Sequence, residues 1–151
     1  PLEFDVRKVT EQSKDNPVFY VQYAHARISS VINKLKKTNM NIDLTNFDNC
    51  NFSLLDKEGE IELIKILLDW KSVIETAVNL YEPHRISYYL YDLSSSFHSL
   101  WNQGKIDKNN KFIDEERPEI SHVRIALLIA TQETLKSGLS LIGVSAPDEM
   151  Q

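Results

Sequence analysis

Four aromatic and basic side chains recur at helical spacing in the first third of the chain. On a wheel of about 100° per residue, Tyr20, Tyr23, Arg27 and Lys34 share one narrow arc. Aromatic rings and a planar guanidinium suit stacking on unpaired bases, and basic groups suit phosphate. No Asp or Glu occurs between residues 16 and 42. The pattern favours a surface for single-stranded RNA, while tyrosines at this spacing are also typical of the edge of a core.

Residue types that build catalytic or metal sites are scattered along the sequence. No glycine-rich phosphate loop, CxxC, HExxH or nucleophile elbow occurs. The single cysteine, Cys50, cannot form an internal disulfide. The histidines lie in separate predicted elements, without the spacing of metal ligands: His25, His84, His98 and His122. The sequence therefore predicts no catalytic residue, no cofactor site and no metal site.

Length and composition predict a single domain over residues 1–151, with 42% hydrophobic residues and enough chain to bury a core. The formal net charge of −5 counts against a general nucleic-acid coat protein, though not against a local RNA surface. No apolar run is long enough for a membrane span and no targeting segment is visible. We expect a cytoplasmic protein, and the start at Pro1 suggests a fragment of a longer chain.

Caps, breaks and hydrophobic periodicity predict helices throughout the chain. Asn16 is a good N-cap and Pro17 suits the first helical position. Gly138 is expected to cap the last helix in the left-handed conformation, ahead of a short apolar packing segment at Leu139–Val144. The predicted main helices are Asn16–Lys37, Asp56–Tyr81, His84–Gln103 and Pro118–Gly138, with a short helix at Leu2–Gln12.

Two polar stretches, Thr38–Ser53 and Lys105–Arg117, are predicted to be surface loops. The second main helix is apolar almost all round, which predicts that it is central and that Trp70 lies in the core. Trp101, near the end of the third helix, is the better candidate for exposure. The predicted fold is all-α, a bundle of four main helices plus short ones.

Three stretches resemble one family. Residues 20–27, YVQYAHAR, follow Asn16-Pro17-Val18, and the chain ends with SGLSLIGV at 137–144, then Ala146-Pro147 and Met150. Glu82-Pro83 with Tyr89-Leu90 and Phe97 is a weaker match. In order and extent these residues resemble the anticodon-binding domain of arginyl-tRNA synthetase, a helical class I domain. The acidic tail at 148–149 and the added Gln151 depart from the usual ending of that family.

The resemblance implies an anticodon-loop surface for arginine tRNA, built on the first long helix. Tyr20 and Tyr23 would stack on bases, and Arg27 would contact phosphate or a base edge. By resemblance Gln22, Phe97, Trp101 and Met150 would join them, although the helical pattern alone places Phe97 in the core. Class I catalytic domains carry HIGH- and KMSKS-like motifs for ATP, and this sequence has neither. The parent enzyme would use ATP, with its catalytic domain as a partner in cis; neither DNA nor a membrane is expected, and a monomer is.

Two other functions remain open at this point. A helical anticodon-binding appendage of the glycyl or cysteinyl type would share the bundle, but it is not expected to carry the string at 20–27. A protein–protein interaction module could use Tyr20, Tyr23 and Arg27 as a hot spot, because Tyr and Arg are enriched in such patches. RNA binding would weaken steeply with salt, and an aromatic protein interface much less.

Overall fold

Residues 16–150 are described by a computed structural model, and the short helix predicted at Leu2–Gln12 lies outside them. Their regular structure is helical, which confirms the predicted all-α bundle. The helices are α1 (Pro17–Leu35), α2 (Glu58–Leu68), α3 (Trp70–Asn79), α4 (His84–Ile106) and α5 (Pro118–Leu141), with 3₁₀ turns at Phe52–Leu54 and Lys108–Asn110. None of these helices is long and apolar enough to cross a membrane.

The start of α1 is set by its cap, as predicted. The Asn16 side chain accepts hydrogen bonds from the backbone N–H of Val18 (3.0 Å) and of Phe19 (3.4 Å), and Pro17 occupies the first turn. An apolar stripe of α1 is buried from the second turn onward, at Val21, Ala24, Ile28, Val31 and Leu35. Val18, at the cap, stays exposed. One face of α1 is therefore buried in the core, and the neighbouring face, which carries Tyr23 and Arg27, is left at the surface.

The central helix is α4, which packs against α1, α2, α3 and α5. Leu90, Leu93 and Phe97 along it are at most 1% exposed. The prediction of a continuous, central helix over Asp56–Tyr81 is wrong. The chain breaks at Asp69, so α2 and α3 each turn a separate stripe toward α4. Two helices with different buried faces produce the all-round apolar pattern.

The two halves of that segment lie at the surface of the bundle. Leu68 is 76% exposed and Val78 is 66% exposed. Trp70 is half-buried at the edge of the core, where its ring stacks on Tyr89 with centroids 5.1 Å apart. Trp70 is thus a border residue and not the central one that the sequence predicted.

The predicted cap at Gly138 is also wrong, because α5 continues to Leu141. Gly138 is buried inside the helix, where a Cβ atom would lie 2.5 Å from Leu90 Cδ2, so it permits close approach of α5 to α4. The left-handed residue is Gly143, with φ of +75°. The Val144 N–H donates to Leu139 O (2.8 Å) and the Gly143 N–H to Ser140 O (3.1 Å). These two hydrogen bonds satisfy carbonyl groups at the end of α5. Both carbonyls belong to Leu139–Val144, the segment predicted to be a separate packing element.

A buried ion pair joins α2 to α5. Arg124 Nε lies 2.6 Å from Glu60 Oε1, with both side chains at most 3% exposed. The Arg124 Nη1 group donates to the carbonyls of Asn109 (2.8 Å) and Lys111 (2.7 Å). Glu60 also accepts from the Lys57 backbone N–H at 3.1 Å. Both charged groups therefore make further hydrogen bonds beyond their mutual contact, the condition under which a buried pair is tolerated.

The Lys105–Arg117 stretch is more than the solvated loop that its charge predicts. Arg124 holds its backbone, as described above, and Phe112 is only 8% exposed. The Phe112 ring stacks on Phe97 with centroids 6.2 Å apart, and lies at the same distance from the Trp101 ring. The stretch is a structural part of the end of α4. The Thr38–Ser53 loop is irregular up to the 3₁₀ turn at Phe52–Leu54, as predicted.

Candidate nucleic-acid interface

A groove of about 660 Å³ runs between α1, the C-terminal end of α4 and the chain after α5. Four of the predicted site residues line it: Tyr23 and Arg27 from α1, Trp101 from α4, and Met150 from the tail. The helical spacing of three and four residues places Tyr23 and Arg27 on one face of α1, and the packing of α4 on α1 brings Trp101 opposite them. The fold thus assembles one surface from three distant parts of the sequence.

The Arg27 guanidinium is held between two rings of this groove. Its Cζ lies 4.2 Å from the centroid of the Tyr23 ring and 5.3 Å from that of Trp101. Its Nη2 donates to the Tyr23 hydroxyl at 3.2 Å. Tyr23 is 36% exposed, so part of the residue is accessible to solvent beside an oriented cation. This arrangement can stack an unpaired base and donate to its edge or to phosphate.

His98 on α4 lies beneath Arg27 and is 6% exposed. Its Nδ1 is 3.0 Å from Arg27 Nη1, and its Nε2 is 3.3 Å from the Tyr20 carbonyl oxygen. The pKa of His98 is lowered to about 4, mainly by burial and also by the Arg27 charge, while the hydrogen bond to the Tyr20 carbonyl opposes the shift. His98 is therefore neutral in the folded protein at physiological pH.

This neutral histidine predicts a loss of stability in mild acid. Its pKa is about 4 when folded and near 6.5 when unfolded, so between these values the unfolded chain binds more protons and stability falls as the pH drops. We expect about 2 kcal/mol of loss between about pH 7 and pH 5 from this group. Urea unfolding of wild type and His98→Phe at both pH values measures it. The loss should be smaller in the variant, and an equal loss in both proteins would contradict the assignment.

The chain after α5 runs back along α1 and is fastened to it. Gln22 Nε2 donates to the Ser145 carbonyl at 2.9 Å. His25, buried at 2% exposure, has its Nδ1 2.9 Å from the Pro147 carbonyl, so this nitrogen carries the proton and donates. His25 therefore has a structural role, since its ring fastens the tail to α1. Gln22, predicted to contact RNA, donates an amide N–H to the Ser145 carbonyl of the tail instead.

A second pair of bonds fixes the acidic end of the tail. The Ser29 hydroxyl donates to Asp148 Oδ1 at 2.9 Å and accepts from Gln132 Nε2 at 2.6 Å. These bonds link α1, α5 and the tail just before Met150, which is half-buried in the groove. The unusual Asp148 therefore acts as an anchor for the tail in this chain.

Two other predicted residues are separated from the groove. Tyr20 is half-buried, with its ring 5.1 Å from Tyr91 and 4.6 Å from His98 between centroids. Phe97 is 0% exposed, which contradicts its prediction as an RNA contact and agrees with the core interpretation. Its ring lies 6.2 Å from that of Trp101. Phe97 supports Trp101 from within the core, and Trp101 itself is half-buried rather than fully exposed.

The groove has a basic rim that the sequence did not fully predict. Lys34 lies on α1 and Lys37 in the turn that follows it, and Lys105 approaches the Trp101 ring with Nζ 5.9 Å from its centroid. The predicted helix end at Gln103 would place Lys105 in a loop, whereas α4 continues to Ile106. The spacing of four residues between Lys105 and Trp101 would have placed both on one face of a longer helix. With Arg27, these cations outnumber the two carboxylates of the groove, Asp148 and Glu149, although the chain is acidic as a whole.

Within residues 16–150, no group of three or more His, Cys, Asp or Glu side chains is arranged to hold a metal ion. The groove offers the chemistry of its rings, its guanidinium and its lysines. Such groups bind and orient a ligand by stacking and charge-assisted hydrogen bonds.

Known proteins resemble this chain over most or nearly all of its length. A family model described as "DALR anticodon binding domain" matches residues 21–150. The arginine–tRNA ligase of Beijerinckia indica is 51% identical over 99% of this chain, and that of Rickettsia akari is 46% identical over 99%. The solved structure of the Thermus thermophilus arginyl-tRNA synthetase has a TM-score of 0.70 at 27% identity, covering 97% of this chain and 23% of its own. The chain spans about a quarter of the length of the curated relatives that it matches.

Proposed function

Since the chain belongs to the DALR anticodon-binding domain family, we propose that it binds the anticodon loop of arginine tRNA in the groove between α1, α4 and the tail. The observation that carries the proposal is the Arg27 guanidinium, held between the rings of Tyr23 and Trp101 on a rim of lysines. Sequence-specific reading of RNA favours splayed, unstacked bases. Tyr23 offers them a ring face, and Arg27 offers charge-assisted donors.

The lysines and the tail residue of the groove would also take part in binding the anticodon loop. Lys34, Lys37 and Lys105 would follow the phosphate backbone as the loop opens. Met150 would close the groove at its tail side, where the bonds of Ser29 and Asp148 hold it. Stacking contributes about 1–3 kcal/mol per base in other single-strand binders, so one or two bases give a moderate affinity.

We propose further that residues 1–151 form one domain of a longer arginine–tRNA ligase. In that enzyme a separate catalytic domain would bind ATP and attach arginine, while this domain holds the tRNA. The parent enzyme would work as a monomer in the cytoplasm. The similarity to arginine–tRNA ligases over the full chain supports this context.

The proposal predicts cognate-selective and salt-sensitive binding. Fluorescence anisotropy of a labelled arginine tRNA should show saturable binding, with a weaker signal for a tRNA of another amino acid. Because each phosphate contact releases counterions, three contacts predict roughly a twentyfold loss of affinity between about 50 and 200 mM salt.

Isolated anticodon stem-loops separate loop recognition from general attraction to tRNA. The arginine stem-loop should compete with the labelled tRNA, and a stem-loop with a different anticodon should compete poorly. Equal competition by both stem-loops, or an affinity independent of salt, would contradict the proposal.

A further inference from the structure

We infer that His98 is the positioning residue of the groove: it holds the Arg27 guanidinium between the rings before RNA arrives. The inference deepens the proposed function and rests on it. His98 sits on α4 in the core and does not line the groove itself. It would act on RNA through Arg27.

The donors and acceptors fix the state of the ring. A guanidinium can only donate, so His98 Nδ1, 3.0 Å from Arg27 Nη1, must present its lone pair. The proton of the neutral imidazole then sits on Nε2, which donates to the Tyr20 carbonyl at 3.3 Å. One tautomer satisfies both contacts. The imidazole thereby bridges the backbone of α1 to a side chain two turns further along the same helix.

The ring is itself held firmly. Its centroid lies 4.6 Å from that of Tyr20 and 5.4 Å from that of Phe97. A buried ring between two others has little freedom to turn, so its lone pair points in a fixed direction. This gives a role to Tyr20 and Phe97, two predicted site residues that do not line the groove. They support the histidine that orients Arg27.

Orientation matters because an arginine side chain has many rotamers. Free in solution, its guanidinium would have to be ordered at the moment of binding, and that cost would reduce affinity. Here Nη1 is held by His98 and Nη2 by the Tyr23 hydroxyl, so the plane of the guanidinium is already set. Its other N–H groups can then donate to a phosphate or a base edge.

A double-mutant cycle tests the inference. His98→Phe keeps an aromatic ring and removes the acceptor, and Arg27→Met removes the group that His98 would act through. We expect His98→Phe to weaken binding of the arginine stem-loop about tenfold when Arg27 is present, and less than about twofold in the Arg27→Met background. His98→Asn, whose amide oxygen can accept in place of Nδ1, should recover most of the affinity. Equal losses in both backgrounds would overturn the inference, because they would mark a general structural effect.

A second measurement needs no RNA. In nuclear magnetic resonance spectra the Arg27 side-chain N–H signals should exchange slowly with solvent in wild type and in His98→Asn, and rapidly in His98→Phe. Unchanged exchange in His98→Phe would overturn the positioning role whether or not the chain binds tRNA. Slow exchange in wild type together with absent RNA binding would instead overturn the proposed function. Thermal unfolding of each variant controls for loss of fold.

Discussion

Replacing Arg124 by Met is expected to lower the free energy of unfolding by about 3–5 kcal/mol. The change leaves the Glu60 carboxylate in the core at 2% exposure without its cation. It also removes the shared donor of the Asn109 and Lys111 carbonyls, which adds to the loss. Urea denaturation followed by far-ultraviolet circular dichroism measures the change.

Two variants separate the charge effect from a general effect of substitution. Lys136→Met places the same side chain on an exposed position of α5, and we expect a change below about 0.5 kcal/mol. The double variant Glu60→Leu/Arg124→Met removes both charges and should recover part of the stability lost in Arg124→Met. If Arg124→Met alone unfolds within about 1 kcal/mol of wild type, the pair does not contribute as its burial predicts.

The same ion pair bears on the groove. Arg124 holds the backbone of Asn109 and Lys111, and the next residue, Phe112, packs against Trp101. A loosened 108–112 segment would therefore release one side of Trp101. Where Arg124→Met stays folded, we expect the groove to lose order before the helices do, because Arg124 ties the segment to α5.

Local signals in the sequence predicted the parts of this structure that depend on neighbouring residues. The Asn16 cap, the buried stripe of α1 and the break after Glu82 each follow from residues a few positions apart. The pairing of Glu60 with Arg124 joins residues 64 positions apart, and no local pattern distinguishes Glu60 from the acids around it. The break at Asp69 was missed for a similar reason, since its cause is the docking of two stripes on α4.

In the site, too, the sequence predicted what depends on neighbouring residues and missed what depends on contacts between distant ones. Helical spacing on α1 predicted that Tyr23 and Arg27 share a face, and they do. Trp101 and Met150 were named from resemblance, because nothing in their own segments indicates that they meet α1. The burial of Phe97 was the main error, because the exposure of a side chain depends on which helix covers it. His98 gave no signal, since its role depends on one lone pair aimed at a residue on another helix.

Removing both Tyr23 and Arg27 should nearly abolish recognition of the anticodon loop. Tyr23→Ala removes a stacking face and Arg27→Ala a charge-assisted donor, each contributing about 1–3 kcal/mol in comparable sites. Because the two side chains contact each other, their losses need not add, and we expect the double variant to bind at least about 30-fold more weakly. Isothermal titration with the arginine stem-loop measures this affinity.

The chain offers a matched control on α4. Tyr88→Ala with Arg85→Ala removes the same two residue types at a spacing of three, from exposed positions that do not line the groove. It changes net charge and aromatic content equally, so a nonspecific effect of charge would weaken both double variants alike. A loss confined to Tyr23 and Arg27 places recognition in the groove. A similar loss in both variants would mean that tRNA is held by the general charge of the domain, and the stacking role of Tyr23 would have to be abandoned.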